Sequence, residues 1–390
     1  MTNILRTQEV GSLAKPDWRV QPITNNILTD QNILDAHIWA DRLGIAEGDV
    51  EATLGDAQDF LIHEGVLDQQ RVDAVKNLAA RYAVRLQEKA GIAILYDGEQ
   101  DRPEMYQDAV AKTNGFEWRG RIRAFDKFPA KSFLKGAIVG PPSVSELWHT
   151  DEVDRLHNLT EQDIKVPITG AYTIADWSFD EYYQKSVESG GLGLSKSEAK
   201  KAFVLDIADN VIRPNIEVLL ESGATWIQID EPAATTKPDE VELFVESFNR
   251  SVAGLDGTFS VHICFSDYSL LFPYVEQLEN CSQFSLEFAN RDPRTLGSDK
   301  ASRPAYEILQ DFHKHTPDIG IGLGVTSVHD NNVEGVNLVR DRVLRAVDIV
   351  GDPSLIYPSP DCGLRTRSWD IAFDKLRVTA EGTELAKQAL

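Results

Sequence analysis

In the run VHICFSD, His262 and Cys264 stand two residues apart with Asp267 just beyond. An imidazole and a thiolate are both metal ligands. In an extended chain, side chains two apart share a face. His262 and Cys264 can therefore grip one ion while Val261, Ile263 and Phe265 turn the other way. Mixed nitrogen and sulfur ligation favours zinc. Taken alone, the pair is better described as two residues packed in a buried strand, because Cys is among the most often buried residue types. Two later residues shift the balance: Glu287 in SLEFANRD and Cys362 in SPDCGLRTR. A carboxylate and a second thiolate at two further strand ends complete a four-ligand set.

Such a set has one exchangeable member. Glu287 is the hard oxygen donor among softer nitrogen and sulfur ligands, so an incoming thiol displaces it more readily than a thiolate. Two thiolates and a carboxylate outweigh the charge of the ion, and zinc of that kind is a poor activator of water. It suits holding a substrate thiol as a reactive thiolate. The chemistry implied is alkyl transfer onto sulfur, with a closed structural zinc in a binding module as the contrasting reading.

The elements that must position these residues read as short β-branched runs alternating with amphipathic helices, the rhythm of a parallel sheet with crossover helices. Eight runs are strand candidates: 9–13, 92–98, 166–173, 225–231, 259–265, 283–288, 319–325 and 355–360. Together they predict an α/β fold, a (β/α)8 TIM barrel over residues 1–390 with an N-terminal helical insertion at about 30–90. A ninth run, KGAIVG at 135–140, falls in a Trp- and Arg-rich excursion at about 105–160. Pro214 predicts a kink in the helix that begins near Ser195, where Ser195 and Glu198 form a capping box. The polar residues Asp97, Glu99, Asp230, Glu231, His262, Cys264, Glu287, His329 and Cys362 all fall at or just past strand C-termini, where a barrel builds its active site.

Composition narrows the function. A net charge of −23 opposes phosphate backbones and anionic membranes, so neither nucleic acid nor membrane is an expected partner. Three cysteines in 390 residues do not make a disulfide framework. The opening MTNILRTQEV lacks the apolar core of a secretion signal, and a cytoplasmic location is expected.

VGSL, YDGEQDRPEM, WSF, QIDEPA, HICFSD, LEF, GLGVTSVH and SPDCGLRTR, in this order and spacing, resemble the catalytic barrel of cobalamin-independent methionine synthase over most of residues 9–370. The resemblance implies zinc on His262, Cys264, Glu287 and Cys362. It implies L-homocysteine held by Gly11, Ser12, Glu99 and Asp230, with His329 as proton donor. Trp177 matches the pterin-stacking tryptophan, and Arg123 loosely matches a folate-contacting arginine. The physics of these groups agrees: two carboxylates suit an ammonium, a hydroxyl with backbone N–H groups suits a carboxylate, and imidazole titrates near neutrality.

The chain also departs from the family pattern. It has room for one barrel where full-length enzymes carry two, and EPAATTKPD loses an acidic folate contact around Thr236. A methylcorrinoid (methylcobalamin or a corrinoid protein) is therefore the first expectation for the methyl donor, and methyltetrahydrofolate the second. Transfer to another thiol such as coenzyme M is the alternative reaction. Arg365 and Arg367 fit either an anion contact or a loop salt bridge. His313, His315 and Cys281 read as surface or packing residues.

Overall fold

The computed structural model describes residues 4–123 and 132–390. Ten strands are present among them: β1 (Ile94–Leu95), β2 (Thr113–Arg123), β3 (Ser132–Val144), β4 (Asp163–Thr169), β5 (Phe179–Asp180), β6 (Trp226–Asp230), β7 (Thr258–Ile263), β8 (Gln283–Leu286), β9 (Gly320–Thr326) and β10 (Ile356–Pro360). Seven form one curled parallel sheet in the order β1-β4-β6-β7-β8-β9-β10. Its crossovers carry helices that include Lys196–Ile207, Val241–Val252 and Val336–Val350.

Period-2 alternation decides what each face of this sheet carries. Val166, Ile168, Ile227, Ile229, Val261, Ile263, Phe284, Leu286, Ile321 and Leu323 are all buried, and they occupy one parity of their strands. The register aligns the other parity into rows across the sheet. One row runs Pro167–Gln228–Ser260–Gln283–Gly320, and the next runs Thr169–Asp230–His262–Ser285–Gly322. The inner face of a barrel is ordinarily filled by branched aliphatics. Here it is polar or bare, so side chains from elsewhere fill it. A Cβ on Gly322 would lie 2.5 Å from Gln8 Nε2.

The first predicted strand, 9–13, is not a strand. Gln8 makes a single parallel bridge to Ile94. Gln8 N donates to Pro358 O (2.9 Å), Glu9 N to Ile94 O (3.1 Å) and Leu13 N to Gly98 O (3.1 Å). The amides of Gln8, Glu9 and Leu13 thus bond to β10, to β1 and to the loop after β1, and no ladder develops. The run 92–98 likewise contracts to Ile94–Leu95.

The helical reading of 30–90 holds, and an earlier helix, Asp17–Thr24, precedes it. The long helix Gln69–Ala90 is joined to the C-terminal helix Trp369–Ala389 by rings, with Trp18 on Tyr82 (5.0 Å between centroids) and Tyr82 on Trp369 (6.0 Å). The excursion is richer in strands than its composition suggested. KGAIVG lies inside β3, which pairs with β2 as an antiparallel hairpin, and β5 adds a third strand. At Pro214 the helix opens into a π turn over Ala208–Ile212, which accommodates the missing proline N–H. The Ser195–Glu198 capping box is present. No helix among the described residues is long and apolar enough to cross a membrane.

Candidate active site

The C-terminal edge of β7 delivers His262 and Cys264 to the same side, as their parity requires, and the loop after β10 brings Cys362 to them. The ligand atoms of these three residues lie within 4.8 Å of one another, and the two sulfurs are 3.7 Å apart. His262 is buried, and its Nδ1 is 3.0 Å from the carbonyl oxygen of Ser285. That contact makes Nδ1 the N–H donor and leaves the Nε2 lone pair toward the sulfurs. Nε2 has no hydrogen-bond partner. A buried imidazole nitrogen orphaned beside two thiols is what a metal would satisfy, so the three residues fit a thiophilic ion such as zinc. The Cys362 thiol is held well below its usual range by the hydrogen bond with Cys264 and by the His262 imidazole. Cys264 is pushed well above by sharing that bond and by burial.

Glu287 is adjacent to this trio but outside it. Its Oε2 accepts from Phe265 N (3.0 Å), and its Oε1 is 3.1 Å from His329 Nε2 and also accepts from Asn290. The structure thus brings together three of the four expected ligands and places the fourth between them and His329. Burial works against the charged form of His329, but the Glu287 contact outweighs it and raises its pKa.

Two further contacts brace the ligand loops. Tyr268 donates to Ile263 O (2.9 Å) and accepts from Glu287 N (2.7 Å), which ties the end of β7 to the end of β8. Asp361, fully buried, accepts three backbone N–H groups, from Phe288 (2.9 Å), Ala289 (2.8 Å) and Asn290 (2.8 Å). The residue before Cys362 therefore anchors the loop after Glu287. Gly324 of β9 makes room for that carboxylate, since a Cβ there would lie 2.2 Å from Asp361 Oδ1. Sequence reasoning missed Asp361, and parity could not have found it, because the register of β10 shifts between Ser359 and Pro360. It also missed Gln228, two residues before Asp230, where parity was the available signal.

Above the three ligands lies a pocket of about 180 Å³ whose lining includes Gly11, Ser12, Glu99, Asp230, His329 and Arg365. All four expected substrate residues thus reach one cavity. Glu99 adopts φ 55° directly after Gly98 at φ 70°, a tight reversal in which Glu99 N donates to Asp97 Oδ1 (2.8 Å). Asp97 serves the scaffold, bound to Arg155 at 2.6 Å. The neighbours of the pocket fit each other closely: a Cβ on Gly363 would lie 2.2 Å from Ser12 Oγ, and one on Gly11 would lie 2.9 Å from Glu99 Oε1. Gly11→Ala is accordingly expected to displace the Glu99 carboxylate and weaken binding of an amino-acid substrate by about tenfold, the loss of one charged hydrogen bond. Calorimetric titration with homocysteine checks this. Burial pushes the Asp230 carboxyl up to about 7.

Other expected residues have different roles. Glu231 does not enter the pocket lining. Its carboxylate accepts Tyr172 N (3.0 Å), Thr173 N (2.7 Å) and Thr173 Oγ1 (2.6 Å) and caps the helix Ala171–Trp177. Trp177 ends that helix, half-buried against Tyr106 (5.9 Å), and does not line the pocket. Arg123 ends β2, and its side chain lies outside the described residues. Arg367 bonds Asn331 Oδ1 (2.7 Å) and braces a loop. Thr236 bonds Asp176, which also holds Lys200 and Lys237. Phe265 was not foreseen as a pocket residue. It is 58% exposed at φ 55°, edge-on to His329 (4.6 Å).

A family model described as the catalytic domain of cobalamin-independent synthase matches residues 57–385. Methionine synthase from Thermoplasma volcanium is 36% identical over 72% of this chain and 79% of its own length. The methionine synthase of Sulfurisphaera tokodaii is 32% identical over 99% and 94%. Among solved structures, a B12-independent methionine synthase from Shewanella sp. W3-18-1 in complex with selenomethionine aligns with a TM-score of 0.73 at 22% identity, covering 99% of this chain and 98% of that one. At such identity the structural likeness speaks for the fold, and the family rests on the sequence matches. The chain belongs to the cobalamin-independent methionine synthase family, methyltransferases that act on homocysteine.

Proposed function

We propose that the pocket binds L-homocysteine with its sulfur toward His262, Cys264 and Cys362, and that these residues hold a zinc ion. The observation that carries this reading is the orphaned, buried Nε2 of His262 beside two sulfurs 3.7 Å apart. Bound zinc would supply the positive charge that lets a substrate thiol persist as thiolate at neutral pH. Glu287, within reach of His329 and outside the trio, suits the role of the ligand that comes and goes. Glu99 and Asp230 bind the substrate ammonium, and Ser12 with the Gly11 backbone takes its carboxylate. Fixing the amino-acid end orients the sulfur for in-line attack on the methyl group. His329, half-exposed and held by Glu287, is placed to give a proton to the departing donor. Two carboxylates suit an ammonium and repel a sulfonate, which favours homocysteine over coenzyme M.

Residues 7–10 act in this reading as the eighth stave. Thr7 O accepts from Ile94 N (3.0 Å), and Gln8 N reaches Pro358 O, so the segment bridges β1 and β10 and completes a (β/α)8 barrel around the site. The helices before residue 91 and the β2–β3 hairpin are then additions to one barrel domain.

The family is cobalamin-independent, and this reverses the order of donors expected from the altered folate motif. Methyltetrahydrofolate becomes the first candidate and methylcobalamin the second. Incubating the zinc-loaded protein with homocysteine and each donor in turn, then quantifying methionine, tests the assignment. Methionine from the folate and none from methylcobalamin is expected. Failure of both donors with zinc at one equivalent would overturn the catalytic reading.

A further inference from the structure

The segment that carries Gly11 and Ser12 has little regular sheet bonding, yet it forms a wall of the pocket. Buried side chains fasten it from inside the curled sheet. Lys165 Nζ donates to Gln8 Oε1 (2.9 Å), and Gln8 Nε2 donates to Gln283 Oε1 (3.0 Å). The tie nearest the pocket is Gln228. Its Nε2 donates to Val10 O (2.7 Å), one residue before Gly11, and to Asp230 Oδ1 (2.8 Å).

An amide nitrogen has two protons, and both are used here. With two acceptors facing Nε2, the orientation of the amide is fixed, and Oε1 is left without a partner. Gln228 is fully buried and stands two residues before Asp230 on β6, so the two share the inner face. One side chain therefore touches both halves of the cradle: the carboxylate assigned to the ammonium, and the backbone leading to the residues assigned to the carboxylate.

We propose that Gln228 is a positioning residue for the amino-acid end of the substrate, setting the Asp230 carboxylate and the Val10–Ser12 backbone in one register. The proposal rests on Gly11, Ser12, Glu99 and Asp230 being the substrate clamp. Only Gln meets the geometry. Glu would set a second carboxyl against Asp230, Asn is a methylene too short to span both acceptors, and an apolar side chain leaves two buried acceptors without a donor.

The test uses the full zinc-loaded chain and the variant Gln228→Met, which keeps length and volume. Dissociation constants are measured by calorimetry for homocysteine and for 1-propanethiol, a thiol of similar reach without the amino-acid end. Wild type is expected to prefer homocysteine. In the variant, homocysteine binding should weaken by about tenfold or more while 1-propanethiol changes by less than about threefold, the loss being confined to the amino-acid end. Equal weakening of both ligands would show a general structural role and overturn the proposal. A wild type that does not distinguish the two ligands would instead sink the clamp assignment beneath it. Should Gln228→Met fail to fold, a crystal structure of the wild-type zinc form with homocysteine decides the matter. Retention of both Gln228 bonds is expected, and release of either one overturns the role.

Discussion

Cys362→Ser is expected to remove metal and methionine synthesis together. The serine hydroxyl is a far weaker ligand than a thiolate at neutral pH, and Cys362 is the sulfur whose pKa the site draws down, through the Cys264 bond and the His262 imidazole. Cys264 cannot replace it, because it is itself one of the three ligands. Even changes among residues that merely support metal ligands cost about 10–100-fold in affinity, so losing a ligand should cost more than about 100-fold. Zinc content after dialysis and the thiolate charge-transfer band of the cobalt-substituted protein give readouts independent of turnover. Full metal occupancy in the variant would refute the ligand assignment. Fold retention is expected, because the helices and sheet around the loop do not depend on this sulfur.

Asp361→Ala is expected to do the opposite: leave every assigned ligand in place and still lose the site. Its carboxylate is the shared acceptor of three consecutive backbone N–H groups, at Phe288, Ala289 and Asn290. Alanine would strand the two buried donors of Phe288 and Ala289, at about 1–3 kcal/mol each, and free the more exposed amide of Asn290 to water. Water can enter the vacated space and recover part of that loss, so a net destabilisation of several kcal/mol is expected. The loop after Glu287 and the loop of Cys362 would lose their common anchor, and metal affinity should fall with stability. Urea unfolding and a competition titration for zinc measure the two effects. A variant with wild-type stability would show that the three amides find other partners.

The ligand pair was legible because strand parity needs no tertiary information. Once β7 was recognised, His262 and Cys264 had to share a face. Glu99, Asp230 and His329 were legible as strand-end residues, since the ends of parallel strands gather at one edge. The N-terminal strand was not legible, because its apolar alternation is ordinary while its amides bond to three separate elements, a fact of assembly and not of local preference. Glu287 illustrates a different limit. Sequence marks a carboxylate at a strand end, but whether it turns to the sulfurs or to Phe265 N, Asn290 and His329 depends on side-chain geometry two strands away. Glu231 was read beside Asp230, yet adjacent residues in a strand point apart, and it became a helix cap. The hairpin of β2 and β3 was obscured by its Trp, Arg and Gly content, which mixes strand formers with charge.

The bonds made by Gln8 also order events in time. Gln8 is made well before its backbone acceptor, Pro358 O, which lies 350 positions later. Trp369, which donates to Ala14 O, emerges later still. On the ribosome, the early segment can therefore meet β1 and the loop after it, through Ile94 and Gly98, long before β10 exists to hold its other side. Contacts so distant in sequence are slow to form. Cys362 arrives on the same later stretch, so the three-ligand metal site can close only about 100 residues after His262 and Cys264 are made. Until then a nascent chain holds two of the three ligands, and the full set cannot take up metal.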